Sequence, residues 1–365
     1  MKKIIFFLFI IIFSPIIFAQ TPDLKKMKII RANSDTVAIR DGNAFYSNGW
    51  SIVPSAKPDI RITRNKRITF ITDLDSITFN TEPYKSYNFV ILMGKDSAWT
   101  QIQCLPSYLD VLKKAGNYQV EKTDNLPKFS YLNMDDNNLK NVRETFKLDS
   151  IAGNGNEISK ILNLLHWVHN SIRHDGNNYA NCELDAIDLF NYYKATGKGV
   201  NCRHLAMVLN ECYLSMGIKS RFITCLPKDS TDTDCHVINS VYSETLKKWI
   251  WIDPTFNAYV KDENGNFLGI EEVRDRLIDG RPLVLNEDAN WNNEKKQTKE
   301  NYLYNYMAKN LYWLNCSANS KFNTESRYRY SGETYVSLVP SDFKPFEYIS
   351  GVVTTDTSYF WQTPN

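Results

Sequence analysis

The stretch Gly197-Lys-Gly-Val-Asn-Cys-Arg-His-Leu-Ala206 decides the fold, because a helix begins within it and a cysteine stands at that beginning. Apolar residues then recur at three- and four-residue spacing: Leu205, Val208, Leu209, Cys212, Tyr213 and Met216. This spacing predicts an amphipathic helix, preceded by Gly197 and Gly199 and ended by Gly217. Cys202 is therefore expected in or just before the first turn, where free N–H groups and the positive end of the helix dipole favour a thiolate.

Two alternating segments after this helix predict a β-hairpin that carries a histidine and an aspartate. His236 begins the first segment, and Asp253 ends the second. A two-residue turn at Glu244 and Thr245 places His236 directly opposite Asp253 on one face of the sheet, a register that a slip of one residue would break. A base oriented by a carboxylate is what nucleophilic catalysis needs. Each residue type alone is usually structural, so the catalytic hypothesis depends on all three standing at element ends.

With these residues the chain resembles the transglutaminase-like superfamily of papain-fold cysteine enzymes, as an exported bacterial member, from about residue 133 to about residue 290. The marks are the helical segment 161–174, Gly199-Val-Asn-Cys202, the strand segment 217–224, the His236 strand and Trp251-Ile-Asp-Pro254. The resemblance implies an α+β core in which the Cys-bearing helix packs on an antiparallel sheet. It also implies Cys202 as nucleophile, His236 as general base and acid, and Asp253 as orienter of the imidazole.

One position departs from the pattern of the family. Many relatives have an aromatic residue shortly after the helix that precedes the site, and in transglutaminases it supplies an oxyanion donor. His174 stands at that place here. An imidazole N–H is able to donate to an oxyanion, as is the backbone N–H of Cys202. His174 is therefore the oxyanion candidate, with a plain surface histidine at a helix end as the alternative.

Other polar residues near the motif have ordinary explanations. We expect His166 and His169, in the preceding helix, to be structural or surface residues, and Arg203 to be solvated or salt-bridged rather than bound to substrate. His204 is close to Cys202 but points along another helix face. The acids at 229, 232 and 234 are expected to border the cleft, since the spacing of a calcium loop is missing.

The N-terminus predicts export. Lys2 and Lys3 precede an apolar run of about fifteen residues, short of the roughly twenty that a membrane span needs. Cleavage after Ala19 defines a signal peptide of residues 1–19 and predicts a secreted or periplasmic protein, with a retained anchor as the alternative. Removal of the two lysines takes the formal charge from +2 to zero, so no nucleic-acid partner and, after cleavage, no membrane partner is expected.

Beyond the signal peptide the sequence predicts three regions. Short alternating runs predict a β-rich, sandwich-like accessory domain at residues 20–110. The catalytic core is expected at 111–290, and a C-terminal helix and β extension packed on the core at 291–365. Of seven cysteines, six remain if Cys202 is free, which is compatible with up to three disulfides. No zinc-type spacing occurs, and no cofactor or metal is expected.

Together these features predict cysteine-dependent acyl transfer on amide bonds. Hydrolysis of an extracytoplasmic protein, peptide or glycopeptide is favoured, because water is always available outside the cell. Glutamine-to-lysine crosslinking is the first alternative, and a non-catalytic module that binds partners in the cleft is the second. Substrate identity and oligomeric state stay open.

Overall fold

The computed structural model describes residues 27–53, 55–120, 122–229, 231–326, 333–341, 343 and 351–364. The predicted signal peptide, residues 1–19, lies outside the described residues. The chain divides into two compact units between Pro106 and Ser107, and the predicted domain boundaries at 110 and 290 stay predictions. The mixed α+β architecture that the sequence predicts is confirmed. Among the described helices, none has the length and apolar character that a bilayer crossing requires.

The first unit consists of two four-stranded β-sheets that share one apolar core. Their orders are β1-β7-β8-β4 and β3-β2-β5-β6. The eight strands are β1 Lys28–Arg31, β2 Thr36–Asp41, β3 Ala44–Ser51, β4 Ser55–Thr63, β5 Arg67–Ile71, β6 Ser76–Asn80, β7 Ser86–Met93 and β8 Asp96–Cys104. Gly42 and Gly94, both with positive φ, stand in the two-residue turns of the β2–β3 and β7–β8 hairpins, which need that conformation. Alternating apolar residues such as Phe70 and Phe89 fill the core.

The second unit is a six-stranded sheet with helices packed around it. Its strand order is β12-β11-β10-β17-β19-β20, antiparallel except for the last pair. The helices are α1 Tyr108–Ala115, α2 Asn137–Phe146, α3 Leu148–Ala152, α4 Glu157–Ser171, α5 Ala186–Thr196, α6 Cys202–Ser215, α7 Ile270–Asp279, a π-helix Glu300–Met307, α8 Ala308–Asn310 and α9 Thr357–Phe360. The sheet strands are β10 Ser220–Leu226, β11 His236–Ser243, β12 Lys248–Ile252, β17 Trp313–Ser317, β19 Tyr335–Leu338 and β20 Val352–Thr354. The short strands are β9 Ser130–Tyr131, β13 Val260–Lys261, β14 Val284–Leu285, β15 Asn290–Trp291, β16 Lys295–Lys296 and β18 Asn319–Ser320.

Helix α6 lies at the centre of this unit. Its apolar residues pack against α2, α4 and α5 on one side and against strands β10 and β11 on the other. Every residue from His204 to Ser215 is buried. A helix enclosed in this way holds its first turn in one position, and that turn carries Cys202.

The predicted two-residue turn between β11 and β12 is wrong. Ser243 pairs with Lys248, so the turn spans the four residues 244–247, and Lys247 takes a left-handed conformation with φ 54°. The carboxylate of Glu157, the first residue of α4, accepts hydrogen bonds from the backbone N–H groups of 244 and 245 and from the Ser243 hydroxyl. This distant carboxylate stabilises the longer turn, and no local signal in the hairpin announces it.

The register of β11 with β12 therefore differs by two residues from the prediction. His236 does not lie directly opposite Asp253, which follows the end of β12. Because side chains alternate with a period of two, a shift of two residues keeps both on the same face of the sheet. The two side chains still meet as diagonal neighbours, with 2.7 Å between His236 Nε2 and Asp253 Oδ2.

Candidate active site

Cys202 is the first residue of α6. The side chain of Asn201 caps the helix by accepting the His204 backbone N–H at 3.0 Å. The Asn201 side chain does not bond the backbone N–H groups of Cys202 and Arg203, the first two of the helix. The Cys202 side chain is partly exposed, whereas the helix behind it is buried. A thiol at this position is accessible to a substrate and lies at the positive end of the helix dipole.

His236 and Asp253 form a buried pair beside it. His236 is 1% exposed and Asp253 is fully buried. His236 Nε2 lies 2.7 Å from Asp253 Oδ2, while Asp253 Oδ1 accepts the backbone N–H groups of Thr255 at 2.9 Å and Phe256 at 3.4 Å. The rings of Phe256 and Tyr306 pack on the imidazole with centroids 5.5 and 5.2 Å away. The carboxylate is thus anchored by the backbone, and its second oxygen orients the imidazole.

Tyr302 is a member of this site that the sequence analysis missed. Its hydroxyl donates to Asp253 Oδ2 at 2.6 Å and accepts the indole N–H of Trp251 at 3.1 Å. It stands on the π-helix, 49 residues after Asp253, so no spacing within the motif points to it. A second donor on Oδ2 limits where that oxygen can move, which helps to hold the His236 ring in one orientation.

The electrostatics of the site favour a charged pair. Burial alone would raise the pKa of the Cys202 thiol, but hydrogen bonding and charge interactions with His174 and His236 lower it to about 6. Burial alone would lower the pKa of His236, but the Asp253 carboxylate, with a further contribution from Cys202, raises it to about 10. The free nitrogen of His236, Nδ1, has no partner with regular hydrogen-bond geometry in the described part of the chain.

His174 is the second imidazole that interacts with Cys202. Its backbone forms an isolated parallel bridge with Val200, two residues before the cysteine. The indole N–H of Trp291 donates to His174 Nδ1 at 3.0 Å, and the Asn292 side chain bonds the backbone N–H and C=O of His174 at 2.8 and 3.0 Å. Two of the predicted site residues, His236 and His174, thus interact with the thiol of a third, Cys202, and Asp253 is bonded to His236.

The remaining polar residues near the motif have structural partners. Arg203 donates to Glu325 Oε1 and to Thr224 Oγ1, both at 2.7 Å, so it is salt-bridged as expected. His204 is fully buried, with its ring against Tyr179 at a centroid distance of 4.7 Å. Burial, assisted by the charge of Arg203, lowers the pKa of His204 to about 4. A second catalytic base at His204 is therefore not supported.

The two histidines of α4 belong to the framework. His166 Nδ1 lies 2.6 Å from Asn257 Oδ1, and His169 is bonded through Nδ1 to the Pro254 carbonyl at 2.9 Å and through Nε2 to Asn290 Oδ1 at 3.0 Å. These contacts connect α4 to the backbone just after Asp253. They position the chain around the site without reaching the thiol.

Two of the three acids before His236 form ion pairs with one lysine. Lys309 Nζ donates to Asp232 Oδ2 at 3.0 Å and to Asp234 Oδ2 at 2.7 Å. All seven cysteines, each within a described part of the chain, are free thiols. The residues with described placement contain no cluster of three or more His, Cys, Asp or Glu side chains suited to a metal ion.

Comparison with known proteins bears on the family. Residues 145–254, less than a third of the chain, match the model of the transglutaminase-like superfamily, and the matched range includes Cys202, His236 and Asp253. This match confirms the predicted resemblance over that range and supports a cysteine-dependent enzyme in broad terms. No curated protein matches the chain.

A solved structure from Cytophaga hutchinsonii, provisionally named a cysteine protease, is similar at 18% identity with a TM-score of 0.26. The similarity covers 40% of this chain and 46% of that one, so the chain spans less than half the length of that protein. A likeness this low carries no argument about activity.

Proposed function

We propose that this protein is a cysteine hydrolase that cleaves amide bonds in an extracytoplasmic protein, peptide or glycopeptide. One observation carries the proposal: a partly exposed thiol at the N-terminus of a buried helix interacts with an imidazole whose far nitrogen is bonded to a buried carboxylate at 2.7 Å. Nucleophile, base and orienting acid in this relation define covalent acyl-transfer chemistry.

In the first half of the reaction, the Cys202 thiolate attacks the amide carbonyl carbon and a C–S bond forms. The carbonyl electrons move to oxygen, where the Cys202 backbone N–H and the His174 side chain donate hydrogen bonds to the oxyanion. His236, whose pKa is raised to about 10 by Asp253, transfers its proton to the amide nitrogen. The C–N bond breaks, the amine leaves and a thioester remains.

In the second half, neutral His236 removes a proton from water and the hydroxide attacks the thioester. The thiolate leaves, and the carboxylic acid product is released. The partial exposure of Cys202 admits water to the thioester. The predicted signal peptide supports substrates outside the cytoplasm.

The proposal is tested by incubating the mature protein with a mixed peptide library and a fluorescent primary amine. Mass spectrometry then separates new amine termini from amine-labelled glutamines, with Cys202→Ser as the control. New termini that require Cys202 are the expected result. Cys202-dependent labelling would assign the crosslinking alternative instead. If neither product forms and iodoacetamide fails to alkylate Cys202 at neutral pH, the hydrolase proposal is wrong and the non-catalytic binding module is the remaining hypothesis.

A further inference from the structure

The β15–β16 hairpin holds the backbone that carries His174. Asn292, at its turn, bonds both the N–H and the C=O of His174. Glu294 pairs with Arg173 at 2.5 Å, and Asn293 donates to Asn170 at 2.8 Å. The hairpin thus contacts the end of α4 and the residues after it at several points. It lies beyond residue 254, where the family match ends.

Trp291 in this hairpin determines which nitrogen of His174 carries the proton. Its Nε1–H lies 3.0 Å from His174 Nδ1, and the two rings meet edge to face with centroids 6.4 Å apart. An indole nitrogen is a donor only. His174 Nδ1 must therefore accept with its lone pair, and the proton of the neutral ring resides on Nε2.

We propose that Trp291 is a positioning residue, which fixes His174 as the Nε2–H tautomer so that this ring presents a donor, and not a lone pair, to the reacting centre at Cys202. The role at the oxyanion rests on the proposed hydrolase function, whereas the tautomer rests on the Trp291 contact alone. With Nδ1 occupied by the indole, Nε2 is the nitrogen left to interact with the sulfur.

The orientation of His174 has support from both ring and backbone. The guanidinium of Arg173 lies 5.7 Å from the Trp291 ring centroid, and the same guanidinium is paired with Glu294. The indole of the hairpin is therefore held against residues 173 and 174. Trp291→Phe removes the indole N–H and part of the bicyclic ring but keeps an aromatic side chain beside Arg173. Its effect is therefore read against a second Trp→Phe substitution.

The first measurement is the tautomer of His174 by ¹⁵N NMR of histidine-labelled protein in the Cys202→Ala background, where the sulfur cannot impose a tautomer. The chain has five histidines, so the His174 signals are assigned by their loss in His174→Gln. With Trp291 present, a single Nε2–H tautomer with a hydrogen-bonded Nδ1 is expected. In Trp291→Phe, Nδ1 loses its hydrogen bond and a mixture of tautomers is expected. Unchanged Nδ1 and Nε2 signals would overturn the inference.

The second measurement is the pH profile of iodoacetamide alkylation of Cys202 with the native thiol present. A donor to the thiolate favours it, so Trp291→Phe should move the midpoint to higher pH by up to about one unit. Trp313→Phe is the matched control, because it removes an indole N–H that donates to the Pro227 carbonyl at 3.0 Å and not to a histidine. An equal shift in both variants would show a general packing effect and overturn the assignment.

The two proposals fail separately. If wild-type Cys202 shows no thiolate at neutral pH, the hydrolase proposal falls, while the NMR result still decides the role of Trp291. If Cys202 is reactive but the Trp291→Phe spectra match those with Trp291, only the positioning role is lost.

Discussion

The two imidazoles that interact with Cys202 are the same chemical group with different partners. The far nitrogen of His236 is bonded to a buried carboxylate, an acceptor, and the pKa of that ring is raised to about 10. The far nitrogen of His174 faces an indole N–H, a donor, which leaves a lone pair on Nδ1. An acceptor behind a histidine favours the protonated ring, and a donor behind it fixes the single N–H of a neutral ring on the opposite nitrogen. The partner atom therefore suits His236 to proton transfer and His174 to hydrogen-bond donation.

The largest expected effect comes from the base. In His236→Ala, peptide hydrolysis should fall by roughly 10⁴-fold or more, since no group remains to protonate the leaving amine. The pH midpoint of Cys202 alkylation should rise from about 6 towards about 8.5, because one of the two imidazoles that lower the thiol pKa is lost. Rates of iodoacetamide labelling at Cys202, read by mass spectrometry from pH 5 to 10, measure this.

His169→Ala is the matched control for that variant, a buried histidine bonded to the backbone of Pro254 and not to the thiol. It should lower stability without moving the alkylation midpoint. A midpoint that stays near 6 in His236→Ala would break the distinction between the two rings.

The second effect concerns the carboxylate behind the base. In Asp253→Asn the amide oxygen must accept the backbone N–H groups of Thr255 and Phe256, so the NH₂ group faces His236 Nε2. That donor forces the ring proton of His236 onto Nδ1. This nitrogen then has no lone pair with which to accept a proton from the thiol. Hydrolysis should fall by roughly 10³–10⁴-fold.

Asp234→Asn changes an exposed acid close in sequence and serves as the control, measured in the same peptide assay. The substitution of Asp253 gives His236 the kind of partner that His174 has, so it tests the comparison directly. Full activity in Asp253→Asn would contradict it.

The third effect concerns His174, the proposed hydrogen-bond donor to the oxyanion. His174→Gln is expected to reduce hydrolysis by about 10²-fold through loss of an oxyanion donor. Alkylation by iodoacetamide passes through no oxyanion, so its maximal rate at high pH should change by less than about threefold. His166→Gln, which changes a histidine of α4 bonded to Asn257, is the control. Equal losses in hydrolysis and alkylation would instead assign His174 a role in activating the thiol.

The smallest effect comes from Tyr302. Tyr302→Phe removes a hydroxyl bonded to Asp253 Oδ2 at 2.6 Å while His236 and both backbone donors remain. Hydrolysis should fall by about tenfold, and the free energy of unfolding by about 1–3 kcal/mol. Tyr306→Phe is the matched control, because it removes the hydroxyl of another tyrosine whose ring packs on the same imidazole. Steady-state assays and urea unfolding measure both, and a loss above about 10³-fold would place Tyr302 among the reacting groups.

Much of the site was predictable because its parts follow local rules. Apolar spacing and flanking glycines placed Cys202 at the start of α6, and alternation placed His236 at the start of β11. The register of the β11–β12 hairpin was predicted wrongly because its turn is held by Glu157, which belongs to helix α4. The same-face relation of His236 and Asp253 survived, since an even shift preserves the parity of side chains.

The sequence by itself determined which elements form and which residues stand at their ends, because helix and strand periodicity, breakers and caps act over a few residues. The sequence also predicted Asp253 as the partner of His236, but only the tertiary structure decided what lies behind His174 and what else bonds Asp253. Tyr302 reaches Asp253 across 49 residues, and Trp291 reaches His174 across 117. Contacts at such separations depend on how the sheet, α4 and the hairpin pack together, and no periodicity in the chain encodes that packing.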